Sequence, residues 1–237
     1  VAFEGSVSSE TNNFTSASQN IIDVSNVASQ SKRPVILLGH GALDAAAFKQ
    51  YIDIADQLDA LVVTTFLGIG SYDTMDSRYI GYIGHTGHLA ANKAVFECDF
   101  LLVLGSRLDV RQTGTLVDQF VPNGKVAWVD LDDTELTNPR VNIDWMFQLD
   151  VKEFCGYFLA NIDEINRNID QRWQLKILDT VKESLEDIPN EEISGLSPRD
   201  VLRCVQSFVG DGALIVATGV GGHQHWAARH LEFRTKD

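Results

Sequence analysis

The sequence predicts an α/β protein: a Rossmann-like parallel sheet with helices on both faces, followed by a second α/β unit that is truncated. Three observations predict it. Short apolar runs alternate with stretches of helical periodicity, glycine-rich turns follow the runs, and the runs are apolar at consecutive positions. Consecutive apolar residues mark strands covered on both faces, and alternation with helices marks parallel crossovers.

Residues 1–33 are rich in serine and asparagine with one weak helical stretch near Ile21 to Val27, the composition of a linker. From Pro34 the character changes. "PVILLG" reads as a strand, and "LDAAAFKQYIDIADQLDA" reads as a helix, with Leu43, Ala47, Tyr51, Ile54 and Leu58 at helical spacing. The alternation continues with "LVVTTF" (strand), "HLAANKAVFEC" (helix), and "DFLLVLG", "KVAWVDLD" and "WMFQLD" (strands). "VKEFCGYFLANI" then reads as a helix, so residues 34–163 form one domain. Residues 164–195 are a polar helical segment ended by Pro189 and Gly195, which reads as a connector. From residue 196 to 237 a new unit begins. Ser197 is placed to cap a helix with Pro198 at its first position, "DGALIVATG" reads as a turn and a buried strand, and "VGGHQHWAARHLEF" opens another helix. One strand cannot bury both faces of a sheet, so this second unit is expected to be incomplete.

Composition narrows the function classes. The 237 residues are 44% hydrophobic and 22% charged, which is too apolar for disorder, and no apolar run nears the roughly 20 residues that span a bilayer. A formal charge of −14 without a basic cluster predicts neither a nucleic-acid nor a membrane partner. Cys98, Cys155 and Cys204 are odd in number and lack metal or disulfide spacing, which fits a reducing, cytoplasmic interior.

In an open parallel sheet the ligand crevice lies beyond the carboxyl ends of the strands. The glycine turns "GHG" (Gly39 to Gly41), "TTFLG" (Thr64 to Gly68), "GHTGH" (Gly84 to His88) and "GSRLDVRQTG" (Gly105 to Gly114) stand at or beside such ends. Each turn is also explained by turn geometry alone. Arg107 is placed to reach an anion in the crevice, and Arg111 either does the same or pairs with Asp109. Asp130, Asp132 and Asp133 follow a strand, where an acid reads as a ribose acceptor, and Asp132 or Asp133 reads equally as the cap of the next helix. Backbone amides from Gly221 to His223 are placed to hold a phosphate. His85 and His88 lack the further ligands a metal needs. The dinucleotide GxGxxG, the P-loop and the GxSxG signatures are absent from the sequence.

Across residues 33–237 the chain resembles the thiamine-diphosphate-dependent enzymes of the acetolactate synthase family. The resemblance rests on Arg33 to Gly41 (RPVILLGHG), Val62 to Gly70 (VVTTFLGIG), Tyr79 to Asp99, Leu104 to Gly114 (LGSRLDVRQTG), and "GALIVATGVGGHQHWAA". It implies a linker from an amino-terminal pyrimidine-binding domain (1–33), a central domain (34–163), a connector (164–195) and the start of a diphosphate-binding domain (196–237). It implies thiamine diphosphate and Mg²⁺ for the parent enzyme, with FAD or ADP in the central domain. The reaction implied is decarboxylation of a 2-oxo acid and transfer of the activated unit to an acceptor by a homo-dimer or homo-tetramer. Flavin contacts would fall on Gly39, Gly41, Thr65, Leu67, Gly84, His85, Gly105, Arg107, Asp109, Arg111 and Asp150. Diphosphate contacts would fall on Val220, Gly221, Gly222 and His223. His40 and Gly222 depart from the family pattern, and "SRLDVRQTG" suggests a member to one side of the biosynthetic enzymes. The family's catalytic glutamate and metal motif have no counterpart in the sequence, so no catalytic or metal-binding residue is expected and the isolated chain is expected to be inactive. The alternative is a non-catalytic module that binds FAD or ADP.

Overall fold

The computed structural model describes residues 8–162, 168–186, 197–210 and 215–234. The chain runs α1 (Ser8–Gln30), β1 (Pro34–Leu38), α2 (His40–Ala45), α3 (Phe48–Leu58), β2 (Leu61–Thr64), β3 (Tyr79–Tyr82), α4 (Leu89–Glu97) and β4 (Phe100–Leu104). It continues through α5 (Val110–Thr113), β5 (Lys125–Asp130), α6 (Asp133–Leu136), β6 (Trp145–Gln148), α7 (Val151–Ala160), α8 (Gln171–Glu186), α9 (Pro198–Val209) and α10 (Gly222–His230). The six strands form one all-parallel sheet in the order β3-β2-β1-β4-β5-β6. The chain leaves β1 in one direction to build β2 and β3, then crosses to β4 and builds outward the other way. The strand order therefore reverses between β1 and β4.

Both faces of the sheet are buried, as the unbroken apolar runs require. Ile36, Leu38, Val62, Leu102, Leu104 and Val129 face one layer, where Tyr51 and Ile54 of α3, Phe154 and Phe158 of α7, and Val24 of α1 meet them. Val35, Leu37, Val63, Leu101, Val103 and Trp128 face the other, packed by Ala91 and Ala94 of α4 and Trp173 and Ile177 of α8. Neighbouring residues on a strand point to opposite faces, so each five-residue strand feeds two cores at once.

Four differences from the sequence reading have physical causes. The serine-rich arm is helical well beyond its one apolar stretch, and Ile21, Val24 and Ala28 are buried in the core. The polar segment after Ile162 carries α8, which seals the second face through Trp173 and Ile177. The helix expected from Leu43 to Ala60 is broken in two, because Ala46 adopts φ 49° and ψ 38° and turns the chain after α2. The buried strand expected across "ALIVATG" is not formed at its described residues: Ile215 to Gly219 take no regular structure, with Ile215 93% and Val216 40% exposed. A strand needs a hydrogen-bonding neighbour, and among the described residues none lies beside this one. Residues 211–214 of that reading lie outside the described residues.

Candidate functional site at the carboxyl edge of the sheet

The carboxyl ends of β1 and β4 are welded together by glycine. Gly39 N–H donates to Leu104 O (2.9 Å) and Gly41 N–H to Gly105 O (2.9 Å). The backbones are so close that a Cβ on Gly39 would stand 2.1 Å from Gly105 O, and one on Gly105 would stand 2.5 Å from Ala42 N. Gly105 also adopts φ 60°, which side-chain-bearing residues rarely tolerate. The next turn is built the same way. Thr65 N–H donates to Leu38 O (2.9 Å) and its hydroxyl accepts from Gly68 N–H (3.1 Å), while Gly68 presses on Leu38 O. Gly39, Gly41 and Gly105 thus meet in one place, with buried Thr65 beside them and Leu67 exposed at 67%.

The loop after β3 joins the same edge by a different route. Gly84 donates its N–H to Asn92 Oδ1 (2.8 Å) and accepts from Asn92 Nδ2 at its carbonyl (2.9 Å), so one side chain of α4 clamps both of its polar groups. His85 N–H donates to Arg111 O (3.0 Å), which ties this loop to the segment after β4. The His85 side chain is exposed. Gly81 makes room for His88: its missing Cβ would lie 2.5 Å from that ring. His88 Nδ1 accepts from Tyr82 N–H (3.2 Å), which leaves the proton of the neutral ring on Nε2. Burial, and then the charge of Arg229, hold His88 down to about 4.

The charges that the sequence placed at the tip of β4 divide their roles. Arg107, with its side chain 71% exposed, is engaged by Glu135, 2.7 Å from its Nη2. Asp109 caps α5: it accepts from Arg111 N–H (2.7 Å), and Gln112 Oε1 accepts the Asp109 N–H (3.1 Å) in return. The pairing of Arg111 with Asp109 therefore runs through the main chain, and the Arg111 residue is exposed. Asp132 caps α6 by accepting from Thr134 N–H (3.0 Å), as the cap reading expects. Asp150, beyond β6, likewise caps α7 through Lys152 and Glu153 N–H.

A feature the sequence did not reveal brings the second unit to this edge. Arg229 of α10 donates from Nη2 to Thr86 O (2.7 Å) and Gly87 O (3.0 Å), in the loop after β3. His225 packs its ring 5.2 Å from that of Phe66, and Thr74 and Phe233 exchange hydrogen bonds, N–H to O at 3.0 Å and N–H to Oγ1 at 2.9 Å. The amino-terminal turn of α10, Val220 to His223, is held by no side-chain cap, and Val220 is 96% exposed. Its orphan N–H groups are the kind of donor a diphosphate uses. Among the described residues no three or more His, Cys, Asp or Glu side chains gather as a group that could hold a metal ion.

Two sizeable cavities flank the edge. One of about 540 Å³ lies between Asn92, Phe96, Leu116 and Phe120. The other, of about 650 Å³, lies between β3, the start of α4, α8 and α10. Neither is lined by Gly39, Gly105 or Arg107.

A doubly wound parallel sheet whose order reverses between β1 and β4 defines the Rossmann-like class of α/β protein, in which ligands bind at the reversal point. The family model for the thiamine pyrophosphate enzyme central domain matches residues 23–157, and the chain belongs to that family. It is similar to the acetolactate synthase large subunits of Cyanidium caldarium (32% identical; 86% of this chain, 34% of that protein) and Parasynechococcus marenigrum (35%; 85% and 32%). That of Haemophilus influenzae is 31% identical over 86% of this chain and 35% of its own length. The chain spans about a third of the length of these relatives.

Proposed function

We propose that the chain is the central portion, with the beginning of the diphosphate-binding portion, of a thiamine-diphosphate-dependent enzyme of acetolactate synthase type. The parent enzyme decarboxylates a 2-oxo acid and transfers the activated unit to an acceptor, as a homo-oligomer. The observation that carries this reading, within a chain of this family, is the docking of α10 by Arg229 onto the loop after β3. That contact, with His225 against Phe66, holds α10 on the loops that follow β2 and β3.

The cofactor, when bound, supplies the electron sink for decarboxylation. The residues of this chain contribute position. Gly221, Gly222 and His223 offer backbone N–H groups to the diphosphate, and the loops after β1 to β4 hold a flavin or adenine nucleotide in the central portion. On its own the chain does not turn over substrate, because the family's catalytic glutamate and metal motif have no counterpart in the sequence. Incubation with pyruvate, thiamine diphosphate and Mg²⁺ is expected to release no CO₂ above the protein-free rate; cofactor-dependent release would refute this.

A second reading, a non-catalytic FAD- or ADP-binding module, is favoured by the sheet being complete in itself, with its reversal point inside six paired strands. Calorimetry with thiamine diphosphate and with FAD or ADP separates the two, because only the enzyme portion uses the turn at Gly221 to His223 for a diphosphate. Binding of thiamine diphosphate supports the enzyme portion, and tight binding of FAD or ADP with no binding of thiamine diphosphate supports the module.

A further inference from the structure

We infer that the docking of α9 and α10 on the sheet is a pH-sensitive latch: it is closed at neutral pH and lets go, with the sheet still folded, when acid adds a proton to His88 and His230. The latch uses the contact on which the proposed function rests, and needs no cofactor. Neither apolar core of the sheet takes a described residue from α9 or α10. What holds α10 is Arg229 on Thr86 O and Gly87 O, His225 against Phe66, and the exchange between Thr74 and Phe233. Gln206 ties α9 to it through the Glu232 main chain, at 2.9 and 3.0 Å. An element outside the core, held by a few polar contacts, opens at a lower free energy than the whole fold.

Both rings are poorly placed to carry charge while the latch is closed. His88 Nδ1 accepts from Tyr82 N–H at 3.2 Å, so a second proton on that ring has no place but Nδ1, where it meets a donor. Both ring nitrogens of His230 are shielded from solvent and have no hydrogen-bond partner among the described residues, so a proton there brings charge away from water without a bonded counter-charge. The surroundings are mostly positive. His88 faces Tyr82 of β3 and Arg229 and His230 of α10, and Tyr79, His225 and, from α8, Glu183 line the same cavity. His230 faces Arg199, Asp200 and Arg203 of α9 and Arg229 of its own helix. Against three arginines stand Glu183 and Asp200, and Arg199 already engages Asp200 at 3.4 Å. Burial, then Arg229, hold His88 down to about 4, and burial, then Arg203, Arg199 and Arg229, lower His230. On release the rings return towards water and the ordinary 6.5, so the released form binds more protons. Docking is therefore complete above about pH 6.5 and weakens as the pH falls below it. A His88 ring returned wholly to water would shift docking about thirtyfold between pH 7.5 and 5.0. Because Gly81 and Tyr82 keep part of its cover, a shift of about fivefold or more is expected.

The test is hydrogen exchange of the full chain at pH 7.5 and 5.0, with rates corrected for the intrinsic effect of pH. Protection across residues 222–230 and 84–88 is expected to fall about fivefold or more at pH 5.0, while the amides of Phe100–Leu104 stay protected. His88→Gln still accepts from Tyr82 N–H but carries no titrating ring, and His230→Phe keeps a ring stacked on Trp226 without either nitrogen. The double variant is expected to hold its α10 protection at pH 5.0 within about twofold of that at pH 7.5. If the double variant fails to dock at pH 7.5, the single variants decide, and each is expected to lose less protection than the parent. Equal α10 protection in the parent at both pH values, a loss as large as the parent's in the docked double variant or in both single variants, or a loss shared by β4, would each overturn the inference. Neither cofactor nor 2-oxo acid enters this measurement, so its failure leaves the proposed function standing, and failure of the pyruvate experiment leaves the latch standing.

Discussion

The junction of β1 and β4 makes a sharp prediction for Gly39→Ala. Gly39 has φ −95° and ψ −169°, a conformation alanine adopts freely, so any cost comes from contact rather than from backbone strain. The added methyl would sit 2.1 Å from Gly105 O, where ordinary contact begins at 3.4 Å, and 2.7 Å from Ser106 Cα. The obstructing atoms are all main chain, and no flexible side-chain tip is available to swing aside. Relief of about 1.3 Å requires the two strand ends to separate, which stretches the hydrogen bonds from Gly39 N–H to Leu104 O and from Gly41 N–H to Gly105 O. Overpacking of this kind costs about 1–3 kcal/mol, and each weakened hydrogen bond up to about 1 kcal/mol more. The expected loss is about 2–4 kcal/mol, seen as a fall of about 1 M in the urea midpoint followed by circular dichroism. Gly156→Ala is the control. Gly156 lies in α7, where an added methyl would meet nothing within 4 Å, so alanine there is expected to stabilise by about 0.5–1 kcal/mol. A Gly39→Ala protein within 0.5 kcal/mol of the parent would refute the reasoning, and would leave the glycine to be explained by a ligand.

Further measurements bear on neighbouring parts. Trp128 donates its indole N–H to Ser106 O at 2.7 Å from a fully buried position, so Trp128→Phe is expected to cost about 1–3 kcal/mol in denaturant unfolding, chiefly through the orphaned carbonyl. Asn92→Ala removes both hydrogen bonds that clamp Gly84; hydrogen exchange should then quicken at residues 84–88 while the amides of β4 stay protected. His88 titrates near 6.5 when unfolded and is held to about 4 in the fold, so the folded chain binds fewer protons there at intermediate pH. Its contribution is complete above pH 6.5 and is lost as pH falls towards about 4, up to about 3 kcal/mol in all. A His88→Gln variant whose stability declined as steeply as the parent's between pH 6.5 and 4.5 would contradict this assignment.

Much of the fold was legible because consecutive apolar residues leave a strand few alternatives. Pro34–Leu38 and Phe100–Leu104 are buried throughout, and both stand in the sequence as uninterrupted apolar runs. The start of α9 was legible for a chemical reason, since Ser197 does accept from Asp200 N–H at 3.1 Å with Pro198 at the first turn. β3 was not legible. "YIGY" contains Gly81 at φ 107°, sits at the sheet margin, and pairs with β2 through a shifted register. Its glycine is set by the ring of His88 seven residues on, a tertiary demand that no local pattern carries. The break at Ala46 is similar, because alanine in a left-handed conformation gives no warning in an alanine-rich run.

The candidate site shows where sequence reasoning reaches its limit most clearly. Glycine after a strand serves equally well for close approach of a phosphate and for close approach of another strand, and the residue alone does not separate the two. At Gly39, Gly41 and Gly105 the space that a side chain would need is already filled by the main chain of the opposite turn. Their presence follows from the strand reversal itself, whatever the crevice holds. The α10 turn is the opposite case. A methyl added at Gly222 would meet nothing within 4 Å, and the Gly221 cap is made by no side chain, so packing gives no reason for bare backbone at Gly222. Of the glycines that the resemblance singled out, Gly222 is therefore the one whose replacement separates the two explanations. Gly222→Pro, at the first helical position, removes one of the amide donors that the proposed function uses and is expected to keep the fold. Weaker pyrophosphate binding in that folded variant, measured by calorimetry, is the result the proposed function requires, and undiminished binding would remove this amide from the diphosphate site.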